Sequence, residues 1–201
     1  IAGKMTLTAR AKVHVADLQV YPDVAAKKAE VRVLLVNTTG QPVSGIIVLA
    51  TESFNSDTVH APEAVTTEFS VQDREGTVVI SYPLGDGMHR WNEFNPALYR
   101  MSARVVSEGQ HDADEYNVEF GMREITAHGT QFYLNGEPVF LRGTLECCIF
   151  PKTGYPPTDE GEWLRIISVA KSHGLNHFRF HSWCPPEAAF KAADQMGFLF
   201  Q

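Results

Sequence analysis

The chain has 201 residues, 44% hydrophobic and 20% charged, so it can bury one large core or two small ones and does not have the make-up of a disordered tail. Its 17 basic and 24 acidic residues leave a formal charge of −7, which argues against nucleic acid and anionic lipid as partners. No apolar run is long enough to span a bilayer, so no membrane contact is expected either.

The first half reads as strands and turns. Val13–Tyr21, Glu30–Val36, Ile46–Ala50, Glu68–Val71, Thr77–Tyr82, Leu98–Val106 and Tyr116–Phe120 are rich in β-branched and aromatic residues, and several alternate. Val31, Val33 and Leu35 share one face with Arg32 opposite. Tyr116, Val118 and Phe120 share another, with Asn117 and Glu119 opposite. Thr39-Gly40-Gln41-Pro42, Arg74-Glu75-Gly76 and Gly85-Asp86-Gly87 supply turn chemistry between the runs. Seven short strands over roughly 110 residues predict an all-β, immunoglobulin-like sandwich, here without the Cys…Trp…Cys signature of antibody domains. Within Arg90–Tyr99, Pro96 cannot donate to a ladder and should precede a strand. Leu98, Met101, Ala103 and Val105 would then pack inward, and Trp91 and Tyr99 suit core positions.

The stretch Gly121–Gly143 is a seam. Phe132–Leu134 and Val139–Leu141 flank Asn135-Gly136, a strong hairpin signal because both residues tolerate positive φ. Val139–Leu141 is expected to be a strand ending at Arg142-Gly143, followed by a long loop, Thr144–Pro157. Thr158 is the predicted N-cap of a helix with Asp159, Glu160 and Glu162 in its first turn, where the helix dipole favours negative charge. Trp163, Ile166, Ile167 and Ala170 make its apolar face, and Gly174 ends it. Leu175–His181 is the next strand, Pro185-Pro186 start a second helix that Gly197 ends, and Phe198-Leu199-Phe200 open a third strand. Alternation of this kind implies a parallel sheet with right-handed crossovers. Three strands and two helices cannot close a barrel, so the pattern reads as the opening of a larger α/β domain.

Chemistry concentrates on Leu175–His181. Phe178 and Phe180 point one way; His177, Arg179 and His181 point the other. A charged inner face at the carboxyl end of a barrel strand is where such folds build active sites. Trp183, just beyond, offers a flat apolar platform or plain packing, and Arg179 is a polar contact or an interior ion pair. His173, His177 and His181 are spaced by four, but the strand pattern and Gly174 spread them apart, so no metal site and no cofactor are expected. Cys147, Cys148 and Cys184 form no CxxC pair and read as buried free thiols.

With both halves in view the chain resembles the middle of a family 2 glycoside hydrolase, the group that includes β-galactosidases, β-glucuronidases and β-mannosidases. Trp91–Tyr99 is similar to the family's W-x(4)-P-x-L-Y signature, and Phe120-Gly121-Met122-Arg123 to its F-G-[FM]-R motif. Phe132–Gly143 resembles its N-G-x-P hairpin and first barrel strand. Asn176–Gly197 resembles N-x-x-R-x-S-H-Y-P with a later D-x-x-G, matched by Asp194 and Gly197. Two positions depart: Ser-His-Tyr-Pro reads His181-Ser182-Trp183-Cys184, and Glu146-Cys147-Cys148 stands where β-galactosidases are rich in histidine and glutamate. These departures point to a divergent subgroup with another substrate.

The resemblance implies an immunoglobulin-like sandwich over residues 1–122 followed by the first β/α units of a truncated TIM (β/α)8 barrel over residues 123–201. It also implies hydrolysis of O-glycosidic bonds by a retaining mechanism with two carboxylates roughly 5 Å apart. Both catalytic glutamates are expected beyond this chain, so no catalytic residue is assigned within it and the fragment alone should be inactive. It would contribute substrate contacts: Arg179 as a charge-assisted donor, His181 as a polar contact, Trp183 as a stacking surface and Glu146 as a hydroxyl acceptor. The expected partner is a carbohydrate. The start, Ile1-Ala2-Gly3-Lys4, has neither a charged n-region nor an apolar h-region, so a signal peptide is expected to be absent or already removed, with a periplasmic or extracellular location. Phe178, Phe180, Phe198 and Phe200 are expected to be uncovered, favouring a homo-oligomer or disorder near the C-terminus. The rival reading is a non-catalytic carbohydrate-binding or interaction module, with a redox or metal protein behind it.

Overall fold

The computed structural model describes residues 5–109 and 113–201, so the reading of the chain start at Ile1-Ala2-Gly3-Lys4 lies outside the described residues. The chain divides into two compact units, one of Ile1–Glu52, Ala61–Gly87 and Arg100–Phe120, the other of Ser53–His60, Met88–Tyr99 and Gly121–Gln201. Two stretches that sit within the strand-rich half of the sequence thus cluster with its α/β half.

The seven expected strands all form: β1 (Val13–Asp23), β2 (Lys28–Asn37), β3 (Val43–Phe54), β4 (Val65–Val71), β5 (Glu75–Pro83), β6 (Leu98–Ser107) and β7 (Asp114–Phe120). They make a three-stranded sheet in the order β1-β2-β5 and a four-stranded sheet in the order β4-β3-β6-β7. Period-2 alternation decides their faces: Val31, Val33 and Leu35 of β2 are fully buried while Arg32 is exposed. Leu98, Tyr99, Met101, Ala103 and Val105 of β6 are buried as well. The same alternation is weaker in β7, where Tyr116, Val118 and Phe120 are half-buried.

In the second unit three short strands, β8 (Ile125–His128), β9 (Gln131–Leu134) and β10 (Glu137–Val139), form an antiparallel meander. Asn135 (φ 55°) and Gly136 (φ 83°) make the two-residue turn that joins β9 and β10. β8 is an addition to the expected strands: its four residues are too short a run to read as a strand from sequence.

The expected strand Val139–Leu141 is corrected. Val139 closes the hairpin, and the parallel strand is β11 (Gly143–Glu146), which starts where the expected strand was to end and runs into the stretch expected to be loop. Gly143 explains the shift: a Cβ there would lie 2.4 Å from His177 Nδ1 and 2.8 Å from the His177 carbonyl, so only glycine lets the chain approach the neighbouring strand. β12 (His177–Phe180) runs parallel between β11 and β13 (Leu199–Phe200).

The crossovers are α1 (Glu160–Ser172) and α2 (Glu187–Met196). The N-cap of α1 is Asp159, not Thr158, because its carboxylate reaches the Glu162 N–H at 2.8 Å. Gly197 ends α2 in a left-handed conformation, and a Cβ there would meet the Glu93 backbone at 2.8 Å. Ala189, Ala192 and Ala193 give α2 a smooth buried face. That face joins Trp163, Ile167 and Ala170 of α1 in covering Phe178 and Phe198. The expectation of uncovered phenylalanines is therefore corrected: Phe178 and Phe198 are buried, and Phe180 and Phe200 half-buried, because the two helices lie on them. Burial of one such ring contributes about 2–3 kcal/mol.

Candidate functional site

Parallel register sorts the predicted site residues. Gly143 stands beside His177 and Leu145 beside Arg179; Thr144 stands beside Phe178 and Glu146 beside Phe180. Arg179 therefore shares a face with Leu145 and His177, and Glu146 shares the opposite face with the helix-covered phenylalanines. His181 lies one residue past β12 and continues the alternation of His177 and Arg179. Its N–H donates to the Glu146 carbonyl at 2.8 Å. Arg179 and His181 are exposed, and among the described residues neither side chain has a hydrogen-bond or ion-pair partner.

Glu146 and Trp183 meet each other instead. The Glu146 carboxylate accepts from the Cys148 N–H at 3.0 Å, and the Trp183 indole donates to the Glu146 carbonyl at 3.4 Å. The Trp183 ring is half-buried, edge-on to Phe180 at 5.2 Å and Phe150 at 6.5 Å between centroids. Cys148 and Ser182 both have left-handed backbones (φ 58° and 59°), one in each loop that leaves the carboxyl end of a strand. All three cysteines are free and exposed, which corrects the expectation of buried thiols: they sit on these loops rather than on element interiors.

His177 is the buried member of the polar face, 7% exposed, and its Nε2 has no partner among the described residues. Burial holds its pKa below the ordinary histidine value, which keeps the ring neutral. His173 ends α1 while His177 and His181 lie on and beyond β12, so the three histidines spread over separate elements.

The opposite end of the same strands is densely partnered. The Glu93 carboxylate accepts from Arg142 at 2.8 Å and from the Asn176 amide. Asn176 also accepts from the Arg142 N–H at 2.8 Å, and Arg142 Nε donates to the Gly174 carbonyl at 2.8 Å. Lys171 donates to the carbonyls of Glu93 and Met196. Burial pushes the Glu93 carboxyl up, but the hydrogen bonds from Asn176 and Arg142 and the charges of Arg142 and Lys171 outweigh it and hold the pKa low. Burial lowers the Lys171 pKa, with Glu93 opposing.

Two residues earlier, Trp91 is buried among Leu98, Leu134 and Leu199. Its indole donates to the Asp194 carbonyl at 2.7 Å, and the Arg123 guanidinium lies 4.7 Å over its ring. The Asn135 amide donates to the Trp91 carbonyl at 2.9 Å. Residues from all four sequence motifs meet here.

A family model for glycosyl hydrolases family 2 matches residues 13–123, more than half of the chain. The chain belongs to glycosyl hydrolases family 2. It is 26% identical over 189 residues to a β-galactosidase of Thermoanaerobacter pseudethanolicus, covering 92% of this chain and 24% of that protein. It is 30% identical over 114 residues to a β-glucuronidase of Streptococcus agalactiae, covering 56% of this chain and 18% of the other. A family 2 member from Bacteroides cellulosilyticus has the same fold at a TM-score of 0.75 and 23% identity, over 94% of this chain and 24% of its own. The chain thus spans about a quarter or less of the length of these relatives. The motifs that carried the family resemblance mark this packed joint. The sequence reading misses the hub role of Glu93; its signal is the one charged residue between Trp91 and Pro96.

Proposed function

We propose that this family 2 chain is part of a retaining glycoside hydrolase that cleaves O-glycosidic bonds of a carbohydrate substrate, with both catalytic glutamates outside the 201 residues. On this reading β11, α1, β12, α2 and β13 are the opening units of a (β/α)8 barrel, and their carboxyl ends face the sugar. The observation that carries it is the exposed, unpartnered Arg179 and His181 on the sheet face turned away from the helices. A guanidinium donates five N–H groups and suits a sugar oxygen or a carboxylate. Trp183 and Glu146 complete the loops around that end, Trp183 through its ring edge and Glu146 through its carboxylate. The names of the relatives, β-galactosidase and β-glucuronidase, support the reaction class.

The test has two arms. Extension of the reading frame past Gln201 should reveal an Asn-Glu pair ending a strand and a second strand-end glutamate; a frame without them overturns the proposal. The longer protein should hydrolyse aryl β-glycosides and the 201-residue chain should not, since it lacks the two carboxylates the mechanism needs. Turnover by the 201-residue chain would mean that the catalytic pair lies within it.

A further inference from the structure

Asn92 holds a tight turn in place. Its Oδ1 accepts from the N–H groups of Phe94 and Asn95, both at 2.8 Å, and its N–H donates to the Asn95 carbonyl at 3.0 Å. Trp91 bridges to Pro96 at the base of the turn, and Glu93 within it is anchored through side chain and carbonyl. The backbone on either side of Phe94 is therefore held by hydrogen bonds, yet Phe94 itself is 88% exposed. Lone exposed apolar residues are ordinary, but this one borders an open cleft of about 600 Å³ that, Pro96 apart, is otherwise lined by polar side chains. Asp57 and Asn95 are exposed with no side-chain partner among the described residues. Ser56 Oγ donates to the Thr58 carbonyl at 2.8 Å, and Thr58 Oγ1 lies 3.4 Å from His89 Nε2. Phe94 in the cleft wall follows Glu93 directly in the chain.

We infer that this cleft is a non-catalytic binding site for one residue of a neutral oligosaccharide, with Phe94 stacking on a pyranose face and Asp57, Asn95 and His89 bonding its hydroxyls. A flat apolar plate beside acceptors and donors matches a ring that is apolar on its faces and hydroxylated at its edge. The rigid turn lowers the ordering cost of binding. Asp57 in the lining and the net charge of −7 select against anionic sugars. The inference stands on the cleft and does not require the hydrolase reading.

Amide chemical shifts of the 201-residue chain test it, with cellotetraose, β-1,4-galactotetraose and mannotetraose as probes and tetragalacturonate as the anionic control. At least one neutral probe should shift Asp57, Phe94 and Asn95 saturably, with the control far weaker. Phe94→Ala should weaken that binding about tenfold or more, and Phe94→Trp should retain it. An unchanged fold is expected in both variants, because the ring is solvent-exposed. The inference is overturned if no neutral probe binds, if Phe94→Ala binds as the parent does, or if shifts are confined to the neighbourhood of Arg179. It is equally overturned if Phe94→Ala dissolves a dimer, which would make the cleft a contact between copies of the chain.

Discussion

The two ends of the parallel strands are built on opposite plans. At the amino ends Glu93, Arg142, Lys171 and Asn176 satisfy one another, and Trp91 is enclosed by apolar side chains. At the carboxyl ends Arg179 and His181 stand exposed, and among the described residues no side-chain partner reaches them. Polar groups that are already paired have little left to offer a ligand. Unpaired ones keep their hydrogen-bonding capacity, at the cost of contributing nothing to stability. On the function proposed above, one end would serve as scaffold and the other as recognition surface, the division described for parallel α/β barrels.

Substitutions at the two ends should separate stability from function. Trp91→Ala should have the largest effect, a loss of about 3–5 kcal/mol in chemical denaturation, since it empties a fully buried site and removes the indole hydrogen bond. Glu93→Ala should cost about 2–3 kcal/mol, less than a wholly buried pair because Arg142 is 43% exposed. Gly143→Ala should cost about 1–3 kcal/mol, because the added carbon collides with the backbone of β12. A joint that tolerated all three would break the comparison.

Acid sharpens it. Glu93 and His177 both have folded pKa values below their unfolded ones, so the unfolded chain binds more protons and stability falls as pH falls. For His177 the loss begins as pH drops below its ordinary value near 6.5; for Glu93 it begins below about 4.5. Denaturation midpoints at pH 8 and pH 5.5 should differ in the parent chain and differ less in His177→Leu, which removes the buried imidazole. Equal differences would show that the ring titrates freely.

The smallest stability effect belongs to the exposed carboxyl end. Arg179→Ala and His181→Ala should each change stability by less than about 0.5 kcal/mol. In the longer protein, Arg179→Ala should nevertheless lower kcat/KM for an aryl glycoside by tenfold or more. A large stability loss on Arg179→Ala would return that residue to the scaffold.

Much of the fold was legible along the chain. Alternation located all seven strands of the first half, and Asn135-Gly136 located the hairpin. The errors fell where local signals compete. Val139–Leu141 is as apolar as a strand, but the parallel ladder begins at Gly143, whose lack of a side chain is a poor propensity signal and a decisive steric one. Thr158 and Asp159 are both good caps, and only geometry shows which oxygen reaches the third residue of the helix.

The candidate site was legible in identity and less so in arrangement. Period 2 placed Arg179 and His181 on one face. The same period could not place Glu146 and Trp183, because each depends on the register of a strand or the path of a loop. Sequence by itself determined the seven strands of the first half, the hairpin, the two helices and the motifs of the family, since these follow from neighbours within a few residues. Tertiary structure alone decided that the Trp91–Tyr99 segment packs with the α/β unit, and that Glu93 meets Arg142 and Asn176 across 49 and 83 residues of chain. Contacts at such separations leave no periodicity in a sequence; they arise when distant apolar side chains share a core or a largely buried charge must find its partners.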